Sequence, residues 1–189
     1  MLVDLVKKYY DKKYDLNCAE CMLVAANEEY DLNISKQTLM TMASFGGGMA
    51  IGSVCGAATG AISVLALMFT NDRGHKSPHV KEMTSKFLNE FNMKMNSLDC
   101  ISLKENYYDL ENRCSKMMMV SAELLQEIIN EYSSIYSINR CCTASISVGR
   151  KTAFLNKKFI PPDRPQKKMY NTAILPEGRK CKERRRIAV

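Results

Sequence analysis

The sequence predicts an all-α fold: a compact bundle of about five or six helices, with a Gly-rich turn before a buried central helix and an irregular C-terminal tail. Three observations carry this. Apolar residues recur at helical spacing in several segments, among them Val80, Met83, Phe87, Phe91 and Met95. No run before residue 140 sustains the alternation of a half-buried strand. The composition, with 13 Met, no Trp and 5 Pro of which four lie beyond residue 135, favours helices over a β-sandwich.

Residues 2–12 read as a short amphipathic helix with Leu2, Leu5, Val6 and Tyr9 on one side, broken at Asp15-Leu16-Asn17. Asn17 is a good N-cap, and Glu20 stands three residues on as its capping-box partner. A second helix then covers 18–29, with Cys21, Met22, Ala25 and Ala26 along its apolar stripe. Ser35 caps a third through Ala43, and Phe45 to Gly52 forms a Gly-rich turn. Ser53 is the expected cap of the central helix, which runs to Phe69. Pro78 suits the first turn of a fifth helix. Residues 96–113 are a connector with about one helical turn near Leu103. The last helix spans about 114–132, with Met117, Leu124, Leu125, Ile128 and Tyr132 inward.

Charge divides the chain in two. Residues 136–189 hold 14 Lys+Arg against 3 Asp+Glu, while residues 1–135 hold 13 basic and 17 acidic residues. The domain is therefore placed at 1–135, with 136–189 a basic tail expected to be disordered. The overall charge of +7 is no argument for specific nucleic-acid recognition, since the body itself is mildly acidic. The tail would bind nucleic acid only through charge, without sequence preference.

No charged residue falls between Lys36 and Asp72, and Gly48, Gly52, Gly56 and Gly60 recur every four positions, as in membrane helix pairs. The Gly46-Gly47-Gly48 run breaks that stretch, and no Lys/Arg cluster or aromatic belt flanks it. The expectation is a core helix rather than a membrane span. The first residues show no uninterrupted apolar segment of a secretory signal, which points to the cytoplasm, where thiols stay reduced.

The chemistry is expected in the cysteines. Cys18, Cys55, Cys100 and Cys114 each follow a helix cap or a connector break. A thiolate at a helix N-terminus gains from the macrodipole and from unpaired N–H groups, which lowers its pKa below about 8.5. Arg113 and Lys104 stand close in sequence to add to this. The glycines around Cys55 leave its surroundings open, so Cys55 is expected to be the most reactive thiol. Cys18 and Cys21 form a CxxC whose sulfurs share one helix face. The spacings match no zinc finger or ribbon and no common ferredoxin pattern.

Asn17-Cys18-Ala19-Glu20, the Phe45-Gly46-Gly47-Gly48-Met49 turn, Cys55-Gly56-Ala57-Ala58-Thr59-Gly60-Ala61, then Cys100 and Cys114 together resemble one small family. It is the redox-active family of bacteria and archaea named for its C_GCAxxG_C_C cysteine pattern. The resemblance covers about residues 2–135 and implies a compact helical domain whose four signature cysteines carry over to Cys18, Cys55, Cys100 and Cys114. It supplies no substrate. Cys21, Cys141, Cys142 and Cys181 fall outside those four.

Other constellations are weaker. His75 and His79 are spaced i, i+4, but no third ligand stands near them, and they read as surface histidines. The Gly-rich stretch lacks the Lys-Ser/Thr of a phosphate loop. Met117-Met118-Met119 reads as core filler rather than as soft-metal ligands. Two readings of the four cysteines stay open. One is thiol–disulfide exchange or electron transfer with a redox partner, the work of a thiol-dependent oxidoreductase. The other is a module holding an iron–sulfur cluster or zinc on Cys18, Cys55, Cys100 and Cys114, with Cys21 as a further ligand.

Overall fold

A computed structural model describes residues 1–143 of the 189-residue chain. Among these the fold is all-α. Seven helices run in order: α1 (Leu2–Tyr9), α2 (Cys18–Tyr30), α3 (Lys36–Met40), α4 (Gly56–Phe69), α5 (Pro78–Met95), α6 (Cys100–Tyr107) and α7 (Ser115–Thr143). The only extended pairings among the described residues are the isolated bridges Val54–Asp99 and Asp109–Arg113.

The buried residues follow the helical periodicity. α1 buries Leu2 and Val6 and is pinned at its start, where the Leu2 N–H donates to the Gln126 side chain of α7 at 3.1 Å. α2 opens on a complete capping box. The Asn17 side chain accepts from the Ala19 and Glu20 amides, and Glu20 accepts in return from the Asn17 N–H at 3.0 Å. Such a cap contributes about 1 kcal/mol, and it fixes where the Cys18 side chain begins. α5 starts on Pro78 and buries Met83, Phe87, Phe91 and Met95 at the predicted spacing. Each Phe side chain taken out of water contributes about 1.5–3 kcal/mol.

The central helix is α4. Gly56, Ala57, Ala58, Thr59, Gly60, Ala61, Val64 and Leu65 are all buried. Small residues let α2 come close: a methyl group placed on Gly60 would stand 2.9 Å from both the Ala19 carbonyl oxygen and Met22 Cβ. Among the described residues no helix is long and apolar enough to cross a membrane.

Five features differ from the sequence reading. α1 stops at Tyr9, and residues 12–14 form a separate 3₁₀ turn capped by Asp11. The third helix stays α-helical only to Met40 and tightens into 3₁₀ geometry over Thr41–Phe45. Ser53 does not cap α4. Its carbonyl accepts instead from the Cys100 N–H at 2.7 Å, so residues 53–55 run extended beside 98–100 and the helix starts three residues late, at Gly56. The expected connector holds a full eight-residue helix, α6. α7 continues past residue 135 to Thr143, carrying Cys141 and Cys142 in its last turn. The rest of the expected tail, with Cys181, lies outside the described residues.

Candidate functional site

Four helix starts meet at one place. Cys18 is the first residue of α2 and Cys100 the first of α6; Cys55 immediately precedes α4 and Cys114 immediately precedes α7. Backbone hydrogen bonds hold the starts together. Cys55 N–H donates to the Leu98 carbonyl at 2.8 Å, and Cys100 N–H to Ser53 at 2.7 Å. Gly56 lies against Cys18, with only 3.0 Å between Cys18 Cβ and where a Gly56 Cβ would stand. Gly48 lies against Cys100 in the same way, with 2.6 Å. The Cys114 N–H donates to the Tyr10 hydroxyl at 3.0 Å, and that hydroxyl lies 4.0 Å from the Cys18 sulfur.

Four cysteines spread across 97 positions of sequence thus share one neighbourhood, in the order and setting of the family pattern. Residues 16–128 match the model of the family C_GCAxxG_C_C, described as "Putative redox-active protein". The chain belongs to this family. No curated protein and no solved structure matches it significantly.

In this C_GCAxxG_C_C protein the four sulfurs are not equivalent. Cys55 and Cys100 are buried, and Cys114 is only 6% exposed. Burial disfavours a thiolate and raises its pKa; hydrogen-bond donors and cations lower it. At Cys114 the donors win. The Cys18 thiol hydrogen-bonds to it, against the cost of burial, and the Tyr10 hydroxyl, Lys104 and Arg113 add to the effect; together they hold it down at about 6. The same bond works the other way on Cys18. Its hydrogen bond to Cys114, its burial and the charges of Cys114 and Cys55 push it far up. The two thiols titrate as a pair: the shared hydrogen bond favours loss of the first proton from the pair and opposes loss of the second.

Cys55 departs from expectation. The amides of Ala57 and Ala58 in the first turn of α4 do favour its thiolate, as a helix start should, but burial outweighs them and lifts it to about 11. Cys100 is also raised by burial, with Lys104 opposing. Cys55 acts electrostatically on Cys18, and Cys100 and Cys114 act on Cys55, so the four thiols form one interacting group. Cys21 stands apart: burial pushes it up to about 12, and its S–H donates to the Val6 carbonyl at 3.6 Å. Cys18 is not among the influences that shift Cys21.

Tyr10 is the member of the site that sequence reasoning missed. It ends α1. The Arg113 guanidinium stacks on its ring, 4.3 Å from the centroid, and also donates to its carbonyl. Burial raises the Tyr10 pKa well above its usual range, so its hydroxyl stays protonated, accepting from the Cys114 amide and donating toward sulfur. A tyrosine at a helix end carries no local signal of such a role.

Among the described residues no group of three or more His, Cys, Asp or Glu side chains is arranged to hold a metal ion. His79 instead hydrogen-bonds the Phe69 carbonyl at 2.7 Å. The four thiols lie close enough to act on one another electrostatically.

Proposed function

We propose that the protein is a thiol–disulfide oxidoreductase of a reducing compartment, the cytoplasm, with Cys114 as the attacking thiolate and Cys18 as its resolving thiol. The observation that carries this is the meeting of the two cysteines at one hydroxyl: Tyr10 accepts the Cys114 N–H at 3.0 Å and lies 4.0 Å from the Cys18 sulfur. Hydrogen bonding and nearby cations hold the Cys114 thiol below its usual range, so that more of it is ionised at pH 7 than the few per cent of an ordinary cysteine.

Cys114 attacks one sulfur of a partner disulfide. A Cys114–partner bond forms, the partner's S–S bond breaks, and one thiolate leaves. Cys18 then attacks the Cys114 sulfur and gives up its proton, so that the second partner sulfur departs as a thiol. The partner disulfide is reduced by two electrons, and a Cys18–Cys114 disulfide is formed. Tyr10 holds the Cys114 thiolate through its hydroxyl, while Lys104 and Arg113 offset the charge. Cys55 and Cys100, both raised, stay protonated beside the pair.

The test is to treat reduced protein with a small neutral disulfide and map the products by mass spectrometry. The expected product links Cys18 to Cys114, with Cys21 free. A link that omits Cys114 would overturn the assignment. Purification without oxygen, followed by visible absorption and metal analysis, tests the iron–sulfur and zinc reading: stoichiometric metal lost on replacing the four cysteines would replace the present one.

A further inference from the structure

A cleft of about 340 Å³ lies beside the thiol pair. Lys7, Tyr10, Asp11, Lys12, Glu111 and Arg113 line it, with Asn112 and Ser115. Its position ties it to the chemistry. Tyr10 lines the cleft and also touches the Cys18 sulfur and the Cys114 amide. Arg113 and Ser115, the two chain neighbours of Cys114, line it as well. Tyr10 is therefore a residue shared by the cleft and the sulfurs.

The charges in the cleft are of both signs. Lys7, Lys12 and Arg113 bring three cations, and Asp11 and Glu111 two carboxylates. Asp11 is already engaged, by the Lys13 amide at 2.9 Å and the Lys13 ammonium at 3.9 Å. Arg113 is held against Tyr10. Lys7 and Lys12 are exposed and their side chains enter no ion pair among the described residues; Glu111, of opposite charge, is exposed as well. Such a lining suits a ligand with a carboxylate and an ammonium group on a body of a few heavy atoms, and its volume falls at the small end of the range for small-molecule sites.

We infer that this cleft seats one end of a small disulfide of amino-acid type, its carboxylate against Lys7 and Lys12 and its ammonium toward Glu111, so that the S–S bond reaches Cys114 past Tyr10. This rests on the thiol-exchange reading and names its substrate class. The small disulfide gains two electrons and leaves as one thiolate and one thiol, and the Cys114 thiolate and Cys18 thiol become a disulfide.

The experiment measures the rate at which reduced full-length protein is oxidised by cystine and by the neutral hydroxyethyl disulfide, each rate divided by that disulfide's rate with a free small thiol. The normalised cystine rate is expected to exceed the neutral one by on the order of fivefold at low salt, as expected for a few exposed ion pairs, and the excess should shrink as salt is added. In Lys7→Gln/Lys12→Gln the ratio should fall toward one, while Lys81→Gln, on α5, should leave it unchanged. A ratio near one in the unaltered protein, or one that the double variant does not lower, would overturn the inference while leaving thiol exchange standing. Failure of both disulfides to oxidise the protein would overturn the exchange reading, and this inference with it.

Discussion

The Tyr10 hydroxyl accepts the Cys114 N–H at 3.0 Å across 104 positions of sequence. The bond joins the end of the first helix to the start of the last and sets the hydroxyl beside the Cys18–Cys114 pair, 4.0 Å from the Cys18 sulfur. Removing it tests the electrostatics directly. In Tyr10→Phe the ring and its stacking on Arg113 remain, while the donor to the thiolate is lost. The pH profile of Cys114 alkylation should move its midpoint upward from about 6, and the helical circular dichroism should stay. An unmoved midpoint would show that the hydroxyl only anchors the chain.

Replacing Cys18 should do more. Its hydrogen bond is the largest influence lowering Cys114, ahead of Tyr10, Lys104 and Arg113. Cys18→Ala is therefore expected to shift the Cys114 midpoint further up than Tyr10→Phe does, and to slow alkylation at pH 7. The sign follows from the pairing: a thiolate that loses a donor holds its proton to higher pH. A midpoint that falls or stays would contradict the shared hydrogen bond.

The Asn17 side chain serves both the fold and the site. It caps α2 and also donates to the Met42 and Ala43 carbonyls at 3.3 Å each. Asn17→Ala should cost about 1–2 kcal/mol in denaturant unfolding. It should also loosen the start of α2 under Cys18, so the Cys114 alkylation profile should broaden or shift with it. Loss of stability with an unchanged profile would separate the cap from the thiol pair.

Local chemistry was legible in the sequence and long-range chemistry was not. The Asn17–Glu20 capping box and the spacing of Met83, Phe87 and Phe91 are properties of neighbouring residues, and the structure shows both. Ser53 reads as a helix cap by type, yet its carbonyl is taken by the Cys100 amide from 47 positions away, which delays α4 to Gly56. The four cysteine positions were readable from their caps and the family pattern. Their ranking was not, because at Cys55 burial outweighs the helix start, and burial is decided by elements remote in sequence. Tyr10 had no signal, since both of its sulfur-side partners come from other helices.

Two adjacent glycines separate backbone strain from close approach. Gly47 (φ 62°) and Gly48 (φ 66°) both adopt the left-handed conformation. A side chain there costs about 1–2 kcal/mol for the backbone alone. Around Gly47 there is nothing within 4 Å of where a Cβ would stand, so Gly47→Ala should lose only that amount. At Gly48 the same methyl would meet Cys100 Cβ and the Ser53 carbonyl oxygen, each at 2.6 Å. Neither is the end of a flexible side chain, and Ser53 O is already committed to the Cys100 N–H. Gly48→Ala should therefore cost about 2–4 kcal/mol, the added part coming from overpacking that pushes the starts of α4 and α6 apart. Unfolding in denaturant measures both variants, and alkylation of Cys100, faster in Gly48→Ala than in Gly47→Ala, reports the opening. Equal losses at the two positions would mean that the left-handed backbone alone demands glycine and that the contact with Cys100 contributes nothing.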